Sequence, residues 1–275
     1  MIEIKNLEFA YKKKAKLFDD LNLELSLGNI YGLLGKNGAG KTTLLKLMTG
    51  LLFPQSGECL VLEERASKRD AKILSEIFIV PEEFDLPAIT VNSYLNLTAP
   101  FYPRFNKAQF YEYMNDFEIS ENDNIKNLSF GQKKKFLLAF GISTNTKLLI
   151  LDEPSNALDI PSKSQFRKII ASSINEDRSV IISSHQVRDL SSLLDNIIIV
   201  DNGKIIFNHN VEDISKKLVF KKAKDAEINN ELYSEEILGV KYAIQKNKNN
   251  SETNIDLEML FNAVINNPEK INNEF

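Results

Sequence analysis

The chain has 275 residues, of which 43% are hydrophobic and 26% are charged, and a formal net charge of −4. This composition is typical of a globular protein with one large domain or a domain with an appendage, and it gives no overall electrostatic case for binding nucleic acid or an anionic membrane. The only cysteine, Cys59, excludes an intramolecular disulfide, fits a reducing compartment and lies in an apolar stretch that we expect in the core. No secretory signal is visible and no run reaches the roughly 20 apolar residues of a membrane helix, so we expect any work at a membrane to require another subunit.

The first predicted elements are two strands. Apolar and polar side chains alternate over residues 2–9 and again over residues 21–27. A period of two indicates half-buried strands, and we expect the pair to form part of an antiparallel sheet. The Lys-rich stretch 12–16 between them indicates a solvated turn.

A glycine-rich loop follows the next strand. Residues 35–42 read Gly-Lys-Asn-Gly-Ala-Gly-Lys-Thr, between an apolar run at 30–34 and a helix-patterned segment at 43–49. Strand, glycine loop and helix in this order are the context of a phosphate-binding loop, whose backbone N–H groups and helix N-terminus attract anions. The pattern predicts a nucleoside triphosphate with magnesium. The candidate ligand residues are Gly35, Asn37, Gly38, Ala39, Gly40, Lys41 on the outer phosphates, Thr42 on the metal and Thr43 on a phosphate.

The segment from about residue 86 to 146 differs from the preceding one in composition and in the spacing of its apolar residues. Aromatic residues recur at irregular helical spacings and prolines at 100 and 103 interrupt them, which predicts an inserted helical subdomain. The aromatic cluster is either its core or, in part, a docking face. Ser129 and Gln132 fit a helix capping box. The basic turn at 133–135 that follows opposes the helix dipole, which suits either a docked anion or an ordinary solvated turn.

Alternating strands and helices then return. Apolar strands are predicted at 148–151, 179–183 and 197–200, helices at 162–175 and 187–194, and a hairpin at 204–207, which together indicate a largely parallel sheet. We expect His209 in an exposed loop. After about residue 215 the chain is rich in Lys and Asn, residues 245–254 are expected to be mobile, and Leu257, Leu260, Phe261 and Val264 share one face of a helix.

Two carboxylates end the strand at 148–151. Asp152 is expected to hold magnesium, directly or through water, and Glu153 to polarise the attacking water. Phosphoanhydride hydrolysis depends on positioning and charge stabilisation. The glycine loop binds the phosphates, and a correctly positioned carboxylate would supply the group that orients the attacking water. The alternative is an acidic turn after a strand.

Together these motifs resemble the nucleotide-binding subunit of an ATP-binding cassette (ABC) transporter, over about residues 1–215. Residues 128–132 look like the family's signature motif, which would place Ser129, Gly131 and Gln132 against the γ-phosphate held by the opposite subunit of a dimer. Residues 155–159 resemble its D-loop, with Asp159 linking the two sites. His185 resembles its switch histidine, and Tyr11 the aromatic residue that stacks on adenine.

The resemblance implies an α/β fold of the P-loop NTPase, ABC ATPase type. It has a mostly parallel core sheet, an N-terminal antiparallel β subdomain, the helical subdomain and a C-terminal accessory region at 216–275. It also implies an ATPase that uses ATP and Mg²⁺, works as a homodimer or heterodimer, drives a separate exporter-type permease from the cytoplasmic face of the membrane and binds no nucleic acid. The accessory region would dock the permease, support dimerisation, sense a ligand or simply cover the core.

Two residues depart from the family pattern. Glu82 stands where the family usually has a glutamine that contacts magnesium, and Phe130 replaces the first signature glycine. Both changes bear on rate and coupling more than on the fold. Two alternative functions remain: a soluble cassette ATPase in DNA repair, translation or cofactor assembly, and a non-hydrolysing regulatory cassette. The second would require the loss of Lys41 or Glu153, and both are present.

Overall fold

The computed structural model describes residues 1–12, 14–186, 190, 192–222, 231–249 and 252–275. Its strands are β1 (Ile2–Ala10), β2 (Lys16–Leu25), β3 (Ile30–Leu34), β4 (Ser56–Val61), β5 (Glu64–Arg65), β6 (Ile77–Val80), β7 (Leu148–Asp152), β8 (Ser179–Ser184), β9 (Asn196–Asp201), β10 (Lys204–Asn210), β11 (Leu218–Lys222), β12 (Glu231–Ile237) and β13 (Val240–Lys246). Its α-helices are α1 (Lys41–Met48), α2 (Ala71–Leu74), α3 (Val91–Thr98), α4 (Lys107–Asp116), α5 (Phe130–Ser143), α6 (Ile160–Ser173), α7 (Val211–Lys217), α8 (Leu257–Asn266) and α9 (Pro268–Asn272). In the described ranges, no helix has both the length and the apolar character needed to cross a membrane.

A six-stranded sheet forms the centre, in the order β10-β9-β3-β8-β7-β6. All neighbours pair in parallel except β10, which forms the predicted antiparallel hairpin with β9. Every residue of β3, β7 and β8 is buried, as expected for strands covered on both faces. The prediction of a mostly parallel core sheet is confirmed, and the carboxyl ends of β3, β6, β7 and β8 meet at one edge.

The predicted N-terminal antiparallel sheet is also present, in the order β2-β1-β4-β5. Strands β4 and β5, which complete this sheet, carry no clear alternation in the sequence. Cys59 lies in β4 and is 5% exposed, as expected for a core residue. Burial raises the pKa of its thiol to about 12.

Helices α3, α4 and α5 form the predicted helical segment. Its aromatic residues pack against one another as a core: Tyr94 contacts Phe136 and Phe140 edge-on, with ring centroids 5.1 and 5.2 Å apart. The capping box at the start of α5 is confirmed. Helix α6 begins at Ile160, two residues before the predicted start. Of the helix predicted at 187–194, residues 187–189 and 191 lie outside the described residues, and the described residues 190 and 192–194 are not helical.

The C-terminal region is more ordered than the sequence suggests. Strands β11, β13 and β12 form a three-stranded antiparallel sheet. The segment 245–254, which we expected to be mobile, is partly structured in its described residues: Gln245 and Lys246 belong to β13, Asn247 is buried, and Thr253 Oγ1 donates a 2.6 Å hydrogen bond to the Leu218 carbonyl. Side-chain and backbone hydrogen bonds order a segment that has no apolar pattern.

Helix α8 has the predicted apolar face, with Leu257, Leu260 and Val264 buried and Phe261 packed against the core. The boundary predicted at residue 215 falls inside α7, and the division into two domains stays a prediction. The expectation for His209 is wrong. It lies in β10, its ring stacks on Phe275 at 4.1 Å, and its Nε2 shares a 3.1 Å hydrogen bond with Asn272.

Candidate active site

The glycine loop joins β3 to α1 in a backbone conformation that needs glycine. Gly40, the residue before α1, has φ +111°, and a Cβ there would meet the Phe18 ring at 2.9 Å. A Cβ at Gly35 would lie 2.5 Å from the Val200 carbonyl oxygen. The loop therefore passes close to its neighbours and leaves the N-terminus of an eight-residue helix facing outward, which favours an anion.

Lys41 lies inside this loop. Its side chain is 7% exposed, and its Nζ donates to the carbonyls of Gly35 at 2.8 Å and Lys36 at 3.3 Å. Burial lowers the pKa of Lys41, and the charge of nearby carboxylates, Glu153 first, acts in the opposite direction. A phosphate oxygen is a stronger acceptor than either carbonyl, so the ammonium is placed to bind one.

Asp152, at the end of β7, is 1% exposed, and each of its two carboxylate oxygens accepts a hydrogen bond. Its Oδ2 accepts a 2.8 Å hydrogen bond from Thr42 Oγ1, and its Oδ1 accepts a short one from Ser183 Oγ. The predicted pair of Thr42 and Asp152 is thus brought together. No group of three His, Cys, Asp or Glu side chains suited to a metal occurs in the described ranges.

Glu153 follows in a left-handed backbone conformation with φ +47° and is 3% exposed. Its Oε1 lies 2.8 Å from Nδ1 of His185 and 3.9 Å from Nζ of Lys41. Its Oε2 is buried and, within the described part of the chain, has no hydrogen-bond partner. Such an oxygen is costly to leave unpaired, and it is a free acceptor for a bound water.

One cavity of about 530 Å³ brings together Lys41, Thr42, Glu153 and His185 and most of the other predicted site residues, whereas Gly35, Ala39 and Asp152 are not among its lining residues. Tyr11 is 41% exposed at its rim, and its hydroxyl shares a 2.9 Å hydrogen bond with Thr43 Oγ1. Glu82 also lines the cavity, and its Oε1 accepts from Asn156 Nδ2 at 3.3 Å. The predicted residues that line the cavity are Tyr11, Asn37, Gly38, Gly40, Lys41, Thr42, Thr43, Glu82, Glu153 and His185.

The predicted signature residues do not line this cavity. Ser129 and Gln132 form the capping box of α5, with hydrogen bonds of 3.2 and 3.0 Å, and Asp159 caps α6 by accepting from Ser162 N–H at 2.8 Å. The Ser162 hydrogen bonds lower the pKa of the Asp159 carboxyl. A Cβ at Gly131 would lie 2.8 Å from the Ala157 carbonyl oxygen, so the signature and D-loop segments are neighbours. They form a second surface of the chain.

Lys134 is the central residue of the basic turn at 133–135, for which the sequence left a docked anion or a solvated turn as alternatives. Neither alternative describes Lys134. Lys134 is 1% exposed, and its Nζ donates to the Pro81 carbonyl at 2.9 Å and the Asp152 carbonyl at 3.2 Å. Burial lowers its pKa to about 8. Helical periodicity explains this, because residue 134 shares the inward face of α5 with Leu138 and Gly141, both buried.

Sequence reasoning missed three residues that lie outside the cavity and hold predicted site residues in place: Lys134, Asn156 and Ser183. Ser183 lies opposite Asp152 in the parallel pairing of β7 with β8. Polar residues at the carboxyl ends of two buried strands indicate a shared site. The register that brings Ser183 next to Asp152, however, cannot be predicted from the sequence of either strand.

A glycine loop at a helix N-terminus, a carboxylate beside its threonine and a second buried carboxylate, one oxygen of which has no hydrogen-bond partner among the described residues, are the features of a P-loop nucleotide-binding protein. The sequence matches the family described as ABC transporter over residues 18–156. The chain belongs to this family, so it is an ABC ATPase that binds ATP and is expected to hydrolyse it.

Relatives and solved structures agree with this assignment. The chain is 32% identical over 228 residues to the methionine import ATP-binding protein MetN of Carboxydothermus hydrogenoformans, covering 78% of this chain and 67% of the relative. It is 29% identical over 234 residues to the lantibiotic transport ATP-binding protein SrtF of Streptococcus pyogenes, covering 82% and 100%. The dimeric ATP-binding cassette MJ0796, bound to ADP and Pi, shares the fold with a TM-score of 0.67 at 20% identity, over 76% of this chain and 98% of that one.

Proposed function

We propose that the chain hydrolyses ATP with Mg²⁺ in a dimer of cassettes and thereby drives a separate membrane permease, in the export direction. The observation that carries the hydrolytic part is the buried Oε2 of Glu153, which has no hydrogen-bond partner among the residues that the structure describes, in a cavity that Lys41, Thr42 and His185 also line. Buried polar atoms are nearly always hydrogen-bonded, so a carboxylate with a purely structural role would be expected to have a partner for this oxygen.

In this proposal the side chains have separate roles. Lys41 and the loop N–H groups bind the outer phosphates, and Thr42, Asp152 and Glu82 hold the metal, which neutralises phosphate charge when bound. Glu153 accepts a hydrogen bond from the attacking water through Oε2 and takes its proton. His185, 2.8 Å from Oε1, fixes the carboxylate in that orientation. Tyr11, at the rim, stacks on adenine.

A second subunit would complete each site. Ser129 is exposed, and Ser129, Gly131 and Asp159 lie outside the cavity of their own chain. A facing copy, or a related cassette, would bring its signature segment to the γ-phosphate. The solved MJ0796 cassette is described as a dimer, which supports this arrangement.

The transport part rests on the relatives. The chain spans all of SrtF, a lantibiotic transport protein, and 87% of SkfE of Bacillus subtilis, an SkfA peptide export ATP-binding protein. It spans 67% of the import protein MetN. The printed names of SrtF and SkfE support a role in transport, and we propose an export subunit located peripherally on the cytoplasmic face of the membrane, with no nucleic acid as partner.

Affinity capture tests the transport part. Tagged Glu153→Gln protein is recovered from native membranes in mild detergent with ATP and Mg²⁺, with tagged Lys41→Ala as the control that loses its phosphate contact. We expect a polytopic membrane protein with Glu153→Gln that is depleted in the control. Recovery of soluble proteins or nucleic acid alone would favour a soluble cassette ATPase instead.

A further inference from the structure

Lys134 bridges the ends of two neighbouring strands. The parallel pairing of β6 with β7 ends at Val80 and Leu151. Directly beyond it, the Lys134 ammonium donates to the carbonyls of Pro81 and Asp152. Pro81 has no N–H with which to continue the ladder, so a side chain from α5 joins the two strands where backbone pairing stops.

The bridge adjoins three carboxylates. Pro81 precedes Glu82, and Asp152 precedes Glu153. A buried ammonium must be compensated by hydrogen bonds and opposite charge. If α5 moved away from the strand ends, the ammonium would lose both carbonyls together. The geometry therefore favours movement of α5 and these two segments as one unit.

A ring stack adds a second connection between the same segments. Phe84 and Phe130 stack with centroids 5.1 Å apart and an angle of 6° between the rings. The Lys134 Nζ lies 5.7 Å from the centroid of Phe84. Phe130 belongs to the signature segment, so the first turn of α5 is held to residues 81–84 by both contacts.

We propose that Lys134 is a positioning residue that couples the two ATP sites of the dimer. It links the signature segment, which serves the partner's ATP, to the strand ends beside the chain's own ATP. The inference rests on the proposed function, because it requires a composite dimeric site. Lys134 donates to two backbone carbonyls and does not line the cavity, so its loss leaves nucleotide binding intact and weakens ATP-driven closure.

The test separates these two steps in the Glu153→Gln background. Lys134→Met keeps the length and burial of the side chain and removes its donors. Binding of a fluorescent ATP analogue reports on the glycine loop of each chain, and light scattering reports on ATP-dependent dimerisation. We expect unchanged binding of the analogue and a roughly fivefold or larger rise in the ATP concentration for half-dimerisation. For Lys134→Gln, which keeps one donor group, we expect an ATP concentration for half-dimerisation between those of the parent and of Lys134→Met.

Lys107→Met is the matched control, since Lys107 is an exposed residue at the start of α4 in the same helical segment. It should change neither measurement. The inference is overturned if Lys134→Met leaves dimerisation unchanged, or weakens nucleotide binding and dimerisation in the same proportion.

A second variant covers misfolding of Lys134→Met. Phe84→Leu removes the stack with Phe130 and the ring beside the ammonium while keeping an apolar side chain. It should also raise the ATP concentration for half-dimerisation, and no rise would overturn the inference. A Glu153→Gln parent that fails to dimerise with ATP would overturn the proposed function itself, and the inference with it.

Discussion

Ser183→Ala probes how the carboxylates are held. The Ser183 hydroxyl is fully buried, donates to Asp152 Oδ1 and accepts the Glu153 N–H at 3.1 Å. The Glu153 N–H also donates to the Ser183 carbonyl at 3.2 Å, so the substitution leaves that donor satisfied. What is lost is one hydrogen bond to a buried carboxylate, worth about 1.5–3 kcal/mol of unfolding free energy.

Urea unfolding in the absence of divalent metal measures this cost. Ser179→Ala is the matched control, because Ser179 is on the same strand, is equally buried and donates to a neutral carbonyl, that of Ser26, at 3.3 Å. A neutral hydrogen bond is worth about 0.5–1.5 kcal/mol, so Ser183→Ala should be the more destabilising. Because Ser183 also orients the proposed metal ligand Asp152, the Mg²⁺ concentration for half-maximal ATPase activity should rise about 10–100-fold. Equal costs for the two variants, with an unchanged Mg²⁺ requirement, would refute this reasoning.

Three further predictions follow from local geometry. Gly131→Ala would place a Cβ 2.8 Å from the Ala157 carbonyl oxygen, and urea unfolding should show a loss of about 1–3 kcal/mol; an unchanged midpoint would contradict the packing. Because burial raises the pKa of the Cys59 thiol to about 12, a thiol reagent at pH 8 should modify Cys59 slowly in the folded protein and rapidly in urea, whereas equal rates would mean an accessible thiolate. Burial lowers the pKa of His209 from 6.5, so the folded state disfavours the imidazolium. Unfolding free energy should hold above pH 6.5 and fall as the pH drops through the folded pKa, and His209→Phe should reduce this dependence; equal pH slopes for the two proteins would count against it.

Local patterns were enough to predict the parts of the site that are continuous in sequence. The glycine loop, its strand and its helix occur together because phosphate binding by the backbone requires all three. Asp152 and Glu153 follow a strand whose burial can be predicted from its run of apolar residues. The capping box of α5 can likewise be predicted from four consecutive residues. These predictions depend on neighbours along the chain, which a single sequence contains.

The rest depends on neighbours in space. Ser183 meets Asp152 only through the register of β7 and β8, and Lys134 looks like one of three solvated lysines until α5 is packed on the sheet. The sheet formed by β11, β12 and β13 was not predicted, because most of its residues are only half-buried and polar side chains interrupt the alternation. Hydrogen bonds from Asn247 and Thr253 complete that region without any apolar signal.

The central claim is that Glu153 accepts the proton of the attacking water in a dimeric ATPase. Steady-state ATP hydrolysis of the purified chain and of Glu153→Gln, with light scattering on the same samples, tests it most directly. The account predicts that turnover falls by roughly 10²–10⁴ while an ATP-bound dimer accumulates, since binding through Lys41 and Thr42 is untouched. Full turnover in Glu153→Gln would contradict the account.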